Sequence, residues 1–331
     1  MNKILTVSVA AYNVERYLEN TLTSLAIEEI IDDIEVFVID DGGNDSSIDI
    51  ARRFHERFPD SFFAVHKENG GYGSTVAYSI EHATGRYFKL LDGDDWFDGD
   101  GLRKVIERLK TSNEDVVITD YYMGPDPEHL EIIPCHQSNE TIIDVKDYSS
   151  KYTHGMWSLF YRTDLLKRSN LKFPLHTLYT DQIYAIIPFA YAHDILFVPL
   201  PVYCYRFGRD EQSTSRVSRV KHASDMFKVC EILYDFYDEY KSTNENPKEY
   251  VLKRISRYYV NAIRTFLLMP VNRETKKRLI EYECGNKTNH PDVYYAAEKS
   301  NDMGILIQVM RRTGYLAYWA TKLIPENKMN F

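Results

Sequence analysis

Cysteine is scarce here: Cys135, Cys204, Cys230 and Cys284 stand far apart along 331 residues. No CxxC pair suggests a zinc site, and no dense framework suggests disulfides. Long hydrophobic runs are missing too, since none approaches the ~20 apolar residues needed to span a bilayer. Positive charge is in short supply: 40 Lys and Arg against 49 Asp and Glu leave a net charge of −9. That balance argues against general affinity for nucleic acid or anionic lipid, though not against a local basic patch. The opening "MNKILTVSVAAYNVERYLENTL" has one Lys and a short apolar run that becomes an amphipathic helix pattern, with no signal-peptide cleavage site. A soluble cytoplasmic protein with reduced thiols is the expectation. Two nucleotide-binding signatures are also absent: there is no GxxxxGK[ST] P-loop, and no GxGxxG follows the first apolar run.

What is present suffices for a large core, with 44% of residues hydrophobic. Over the first 120 residues the apolar period alternates. "ILTVSVAAY", "IEVFVID", "SFFAVHK", "RYFKLLD" and "DVVITDYY" read as strands. Between them lie helix patterns: one capped by Asn13 and carrying Tyr17, Leu18, Leu22 and Leu25, then "NDSSIDIARRFHERF", "GYGSTVAYSIEHATG" and "DGLRKVIERLKTS". Such alternation predicts an α/β fold, a mostly parallel Rossmann-like sheet with helices on both faces. Residues 124–153 are less regular, and "HLEIIP" and "ETIIDV" suggest a hairpin. Beyond about residue 215 the pattern is helical, over 216–241, 247–269, roughly 292–299 and 303–323. The expected division is 1–214 and a C-terminal helical region, 215–331.

Ligands of open parallel sheets bind beyond the carboxyl ends of the strands. Two acid clusters fall there, Asp40-Asp41 and Asp92-Asp94-Asp95 in "YFKLLDGDDWFD". Acids at a strand end can simply cap the next helix or face water. A D-x-D-D run beside a second acid pair instead suits a hard divalent cation such as Mg²⁺ or Mn²⁺ bridging to a diphosphate. In "VIDDGGNDS" the glycines permit a tight turn, Asn44 or Asp45 caps the next helix, and Asp40 or Asp41 can accept from a base or ribose.

Together "VSVAAYNVERYLENTLTSL", "VFVIDDGGNDSSIDIA", "NGGYGSTVAYSIEHATGRYFKLLDGDDWFD" and "YTDQIY" resemble a family 2 glycosyltransferase of the GT-A fold, of the bacterial surface-polysaccharide type. The resemblance covers about residues 3 to 213. It implies an inverting, metal-dependent transfer from a UDP-sugar to a hydroxyl of a cell-surface glycan or lipid-linked acceptor, with Mn²⁺ or Mg²⁺ as cofactor and no nucleic-acid partner. It also implies a nucleotide-sugar half, about 1–122, and an acceptor half, about 123–214. Ala10, Tyr12, Asp41, Gly71, Asp92 and Gly93 would line the nucleotide sugar, with Tyr12 and Asp41 flanking uracil and Asp92 near the ribose. Asp94 and Asp95 would hold the metal. Asp181 would be the base, in "LYTDQIYAIIPF", where Thr180 replaces the family's usual Glu. Its plainer role is to cap the helix that follows. "YRFGRDEQSTS" resembles the loop that closes over the diphosphate, with Arg206 and Arg209 forking onto phosphate oxygens. A solvated turn is the alternative there. Trp96 and Trp157 suit a sugar face or core packing, and His154 suits a structural role.

The tail "GYLAYWATKLI" is aromatic and lightly basic. It fits a packed core helix, a peripheral contact with the inner face of the membrane, or a homodimer. Two other functions compete with glycosyl transfer. A sugar-nucleotide nucleotidyltransferase would want a Gly-rich, basic loop after the first strand, where "AAYNVERYLEN" stands. A catalytically inactive binding module would not need an intact D-x-D-D plus Asp181.

Overall fold

The first apolar run forms β1 (Leu5–Ala11), buried along almost its whole length. The chain then alternates through α1 (Glu15–Thr23), β2 (Ile34–Asp40), α2 (Ser47–Arg57), β3 (Phe62–His66), α3 (Tyr72–His82) and β4 (Tyr87–Asp92). After these come β5 (Trp96–Phe97), α4 (Gly99–Lys110), β6 (Val116–Gly124), β7 (Glu131–Ile133) and β8 (Thr141–Asp144). β9 (Leu159–Arg162), α5 (Thr163–Arg168), α6 (Asp181–Ile186) and β10 (Asp194–Arg206) complete the sheet region. This computed structural model describes residues 3–134, 138–148, 154–208, 215–243, 248–301 and 303–323. The chain divides into two compact units, Met1–Arg209 and Asp210–Phe331.

One ten-stranded sheet organises the first unit, in the order β3-β2-β1-β4-β9-β6-β10-β5, with β7 added to β6 and β8 to β10. β3, β2, β1 and β4 are mutually parallel, as are β6 and β10. β9 runs antiparallel between β4 and β6. The predicted mostly parallel α/β sheet is therefore present, and the carboxyl ends of β1, β2 and β4 share one edge. Helices are held by ordinary means. α4 starts at Asp98, whose carboxylate accepts from the Gly101 N–H at 2.7 Å. Its Leu102, Val105, Ile106 and Leu109 are buried, each worth about 1.5–3 kcal/mol in transfer terms.

Several local expectations are corrected. The expected hairpin does not form: β7 pairs with β6, and β8 pairs with β10. Asn13 does not cap α1. It takes a left-handed conformation (φ 54°), and its side-chain oxygen accepts from Asn44 N–H at 2.8 Å. Asp45 does the capping for two helices, accepting from the N–H of Glu15 at 2.9 Å and of Ser47 at 3.0 Å.

The second unit is helical: α7 (Arg216–Lys221), α8 (Ala223–Thr243), α9 (Lys248–Leu268), α10 (Arg273–Asn289), α11 (Pro291–Ala296) and α12 (Gly304–Arg312). The segment 303–323 is not one helix. It breaks at Gly314 and Tyr315, both left-handed, and resumes as a 3-10 helix over Leu316–Leu323. α10 has no counterpart in the sequence reading. A buried ion pair knits this unit: Arg311 grips Glu283 with two N–H groups at 2.7 and 3.0 Å, while the Tyr315 hydroxyl donates to the same carboxylate at 3.0 Å.

Candidate active site

β4 delivers the acid cluster. Its last residue, Asp92, pairs with Ala10 of β1, and Gly93 N–H donates to the Ala10 carbonyl at 3.1 Å. A Cβ on Gly93 would sit 2.7 Å from that oxygen, so glycine alone lets the acidic turn lie this close to β1. The Thr21 hydroxyl of α1 lies 2.6 Å from the Asp95 carbonyl and 3.0 Å from the Gly93 carbonyl, holding the turn from the other side. The carboxylate oxygens of Asp92, Asp94 and Asp95 offer ligand atoms all within 4.8 Å of one another.

The three acids are not equivalent. Asp95 is buried, and its carboxylate accepts from the Tyr203 hydroxyl at 2.6 Å and from Arg206 N–H at 2.8 Å. Burial, and then the charge of Asp92, push its carboxyl well above the usual range. Asp92 and Asp94 are only half-buried. Arg206, at the end of β10, lies with its guanidinium 4.7 Å above Trp96 and 5.2 Å above Tyr17. It donates through Nε to the Asp94 carbonyl at 3.1 Å. Trp96 thus serves as a platform for an arginine. Arg209 lies outside the described residues.

Past the end of β1, Tyr12 is 52% exposed, an open aromatic face at the strand edge. Asp41 follows β2 and is buried. Its Oδ1 accepts from Lys67 Nζ at 2.6 Å and Gly70 N–H at 2.9 Å, and its Oδ2 accepts from Gly71 N–H at 2.7 Å. Burial alone would raise its carboxyl, but these donors outweigh it and hold the group below the usual carboxylate value. Gly71 has φ 84°, and a Cβ there would lie 3.0 Å from His176 N. Asp40 points elsewhere, to His66 Nδ1 at 2.6 Å and Gly43 N–H at 3.1 Å.

Asp181 opens α6. Thr180 occupies the N-cap position without a side-chain capping bond, and Gln182 Nε2 donates to Asp181 Oδ2 at 2.7 Å. The loop before it is contorted, with His176 (φ 49°) and Tyr179 (φ 65°) both left-handed. His176 N–H donates to the Gly70 carbonyl at 2.7 Å, which ties this loop to the glycine turn under Asp41. Tyr72, the first residue of α3, joins the remaining parts. After burial, the charges of Asp92 and then Asp181 push its phenol well up. One hydroxyl therefore lies near both the acid cluster and the expected base.

Lys89 sits fully buried in β4. Its ammonium donates to the carbonyls of Met156, Trp157 and Leu159 at 2.6, 2.7 and 3.2 Å. It also lies 5.1 Å from the Tyr203 ring centroid. The segment it anchors puts the Met156 sulfur 3.4 Å from the Tyr72 hydroxyl and stacks Trp157 on Tyr205 at 4.5 Å. His154 pairs with the Tyr148 hydroxyl, a structural contact. The edge of β1, β2 and β4 thus gathers Ala10, Tyr12, Asp41, Gly71, Asp92, Gly93, Asp94 and Asp95. Arg206 adjoins through the Asp94 carbonyl, and the charges of Asp92 and Asp181 both act on Tyr72. Tyr72, Lys67 and Lys89 escaped the sequence reading. Lys89 had a visible signal, a lone cation within the apolar run "YFKLL".

Relatives of known family and structure share the sequence pattern and the fold. The pattern described as Glycosyl transferase family 2 covers residues 6–168. EpsH of Bacillus subtilis (strain 168), placed among the glycosyltransferases, is 27% identical over 73% of this chain and 70% of its own length. The crystal structure of residues 1–349 of S. aureus TarS in complex with UDP-GlcNAc aligns with a TM-score of 0.61 at 17% identity, over 94% of this chain and 92% of that one. This chain spans 54% of the longer TarS structure. A Pyrobaculum calidifontis mannosyltransferase in complex with GDP-Man and Mn²⁺ aligns with a TM-score of 0.50 at 16% identity, over 92% of this chain and 88% of that one. At these identities the structures establish the fold, which is GT-A, and the sequence pattern supplies the rest. The chain belongs to glycosyl transferase family 2, carries that family's pattern over residues 6–168, and is a glycosyltransferase.

Proposed function

We propose that the chain transfers a sugar from a UDP-sugar to an acceptor hydroxyl in one inverting displacement. The observation that carries this is the acid cluster Asp92, Asp94 and Asp95 at the strand edge. UDP-GlcNAc in the TarS complex supports a UDP-sugar donor. Tyr12 would stack on uracil. Asp41 would accept the imide N–H on Oδ2, which takes one donor from the protein.

The donor set suits a hard divalent cation: oxygen ligands only, two of them half-buried, within reach of one another. Mn²⁺ in the mannosyltransferase complex supports Mn²⁺ or Mg²⁺ here. Asp94 would hold it, with Asp92 and Asp95 beside it. Such a cation, when bound, offsets the charge that develops on the departing diphosphate. The chain's own groups do the remainder. Arg206 and Tyr203 fix the acidic turn. Asp181 accepts the acceptor hydroxyl's proton as that oxygen bonds to C1 and the bond from C1 to the diphosphate oxygen breaks. The acceptor is taken to be a hydroxyl of a cell-surface glycan or lipid-linked glycan, reached from the cytoplasmic side.

Two variants test the scheme. Asp181→Asn should keep UDP affinity by calorimetry while turnover falls ~10²–10⁴-fold, the worth of a general base. Asp94→Asn should weaken UDP binding in Mn²⁺ but not in EDTA. Near-normal turnover in Asp181→Asn would move the base elsewhere. Unchanged Mn²⁺-dependent affinity in Asp94→Asn would remove the metal assignment.

A further inference from the structure

The second unit carries a basic, aromatic face that its own packing does not use. Residues 303–323 contain Arg311, Arg312 and Lys322 and no acid, within a chain of net charge −9. Arg311 is committed to Glu283 and Glu298. Arg312 and Lys322 are exposed. Beside them, Leu316 is 68% and Trp319 38% exposed, one 3-10 turn apart and so on one side of that helix. Two ammonium groups flank the indole: Lys276 Nζ lies 5.6 Å and Lys322 Nζ 5.9 Å from the Trp319 ring centroid.

Lys276 belongs to "RETKKR", the first six residues of α10, four of them cations. The positive end of a helix dipole favours anions, so cations in a first turn work against helix stability. Arg273, Lys277 and Arg278 are exposed there nonetheless. Lys277 pairs with Glu281 at 3.7 Å, while Lys276 turns to the Trp319 ring. Exposed apolar side chains ringed by cations on a short, half-buried helix suit a headgroup boundary. No helix among the described residues is long and apolar enough to cross a membrane.

We propose that this face docks on an anionic lipid surface. Trp319 and Leu316 enter the boundary between headgroups and acyl chains, while Lys276 and Lys322, the two cations beside the indole, lie against headgroup phosphates. A second copy of the chain is the competing occupant, and sedimentation and centrifugation separate the two. The inference stands apart from the donor chemistry proposed above.

Vesicle sedimentation of the full chain tests it, using phosphatidylcholine vesicles with and without phosphatidylglycerol. The wild type should sediment with the anionic vesicles only, and less at about 0.5 M salt, where screening is short-ranged. Trp319→Ala with Leu316→Ser should cut the bound fraction at least about tenfold. Lys276→Glu with Lys322→Glu should do the same, each cation near such a surface being worth roughly fivefold. All four side chains lie at the surface or half-exposed, and UDP-induced thermal stabilisation should persist in both variants, confirming that they fold. Equal sedimentation with neutral vesicles, or variants that bind like the wild type, would overturn the proposal. So would a wild-type dimer in analytical centrifugation that disappears in the Leu316→Ser, Trp319→Ala variant without any vesicle binding, which would assign the face to a second copy.

Discussion

Asp41 shows how a single carboxylate can serve fold and ligand together. Lys67, Gly70 and Gly71 all donate to it, and they shape the glycine turn that faces the nucleotide edge. Asn has only one acceptor oxygen, so Asp41→Asn must abandon one side of this set and should cost about 1–3 kcal/mol. The pH dependence follows from the direction of the shift. The folded group binds its proton less readily than the ordinary carboxyl of about 3.9. Its stabilisation is therefore complete above that value and lost as pH falls through the folded one. Urea midpoints measured from about pH 5 to pH 2 should drop more steeply for the wild type than for Asp41→Asn, and parallel curves would refute this. Asp41 was legible because it directly follows an apolar strand. Its partner Lys67 was not, since nothing local says which carboxylate a loop lysine will meet.

At the level of elements, glycines separate into those the site requires and those it does not. On Gly93 a Cβ would press the Ala10 carbonyl at 2.7 Å and Val14 Cγ2 at 3.0 Å. Gly93→Ala should push the acidic turn off β1, destabilise by about 1–3 kcal/mol, and weaken Mn²⁺-dependent UDP binding. Gly285 lies inside α10 with nothing within 4 Å of a Cβ. Gly285→Ala should stabilise by about 0.5–1 kcal/mol, the helix-propensity difference. Thermal melts of the pair should move in opposite directions, and a shift of the same sign in both would contradict the geometry. α10 also explains a miss. "RETKKRLIEYECGNKTN" buries only Thr275, Leu279, Glu283 and Asn286, so it has no apolar stripe for periodicity to find. The break in 303–323 was hidden for another reason. Tyr315 adopts φ 62°, and no side-chain pattern marks a non-glycine residue for that conformation.

For the molecule as a whole, each compact unit has its own polar anchor. In the second unit Glu283 is buried and satisfied by Arg311, Tyr259 and Tyr315. Removing it leaves a guanidinium that is 7% exposed as a side chain with Glu298 as its remaining ion-pair partner, at 3.0 Å. Glu283→Ala should cost about 1–3 kcal/mol, the penalty of leaving buried donors on Arg311, Tyr259 and Tyr315 without their acceptor. Because Asp41, Asp94 and Asp181 all belong to the first unit, UDP affinity below the melting range should be retained. Urea unfolding with calorimetry on the same samples checks both halves. A Glu283→Ala protein as stable as the wild type would mean that the pair adds nothing.

The sequence alone determined what depends on neighbours along the chain. Alternating periods of two and 3.6 residues specified a parallel α/β sheet, and parallel strands put Asp41 and Asp92 at one edge wherever the sheet went. Tertiary structure decided what depends on meetings between distant segments. It turned Asp95 inward onto Tyr203, set Arg206 between Trp96 and Tyr17, and buried Tyr72 where the charges of Asp92 and Asp181 both act on it. It also sent Lys89 into the carbonyls of 156–159, a role that a cation in an apolar run advertises without naming its partner. Periodicity records which side of an element is buried. Which carbonyl, ring or carboxylate waits on that side is settled only when the elements pack.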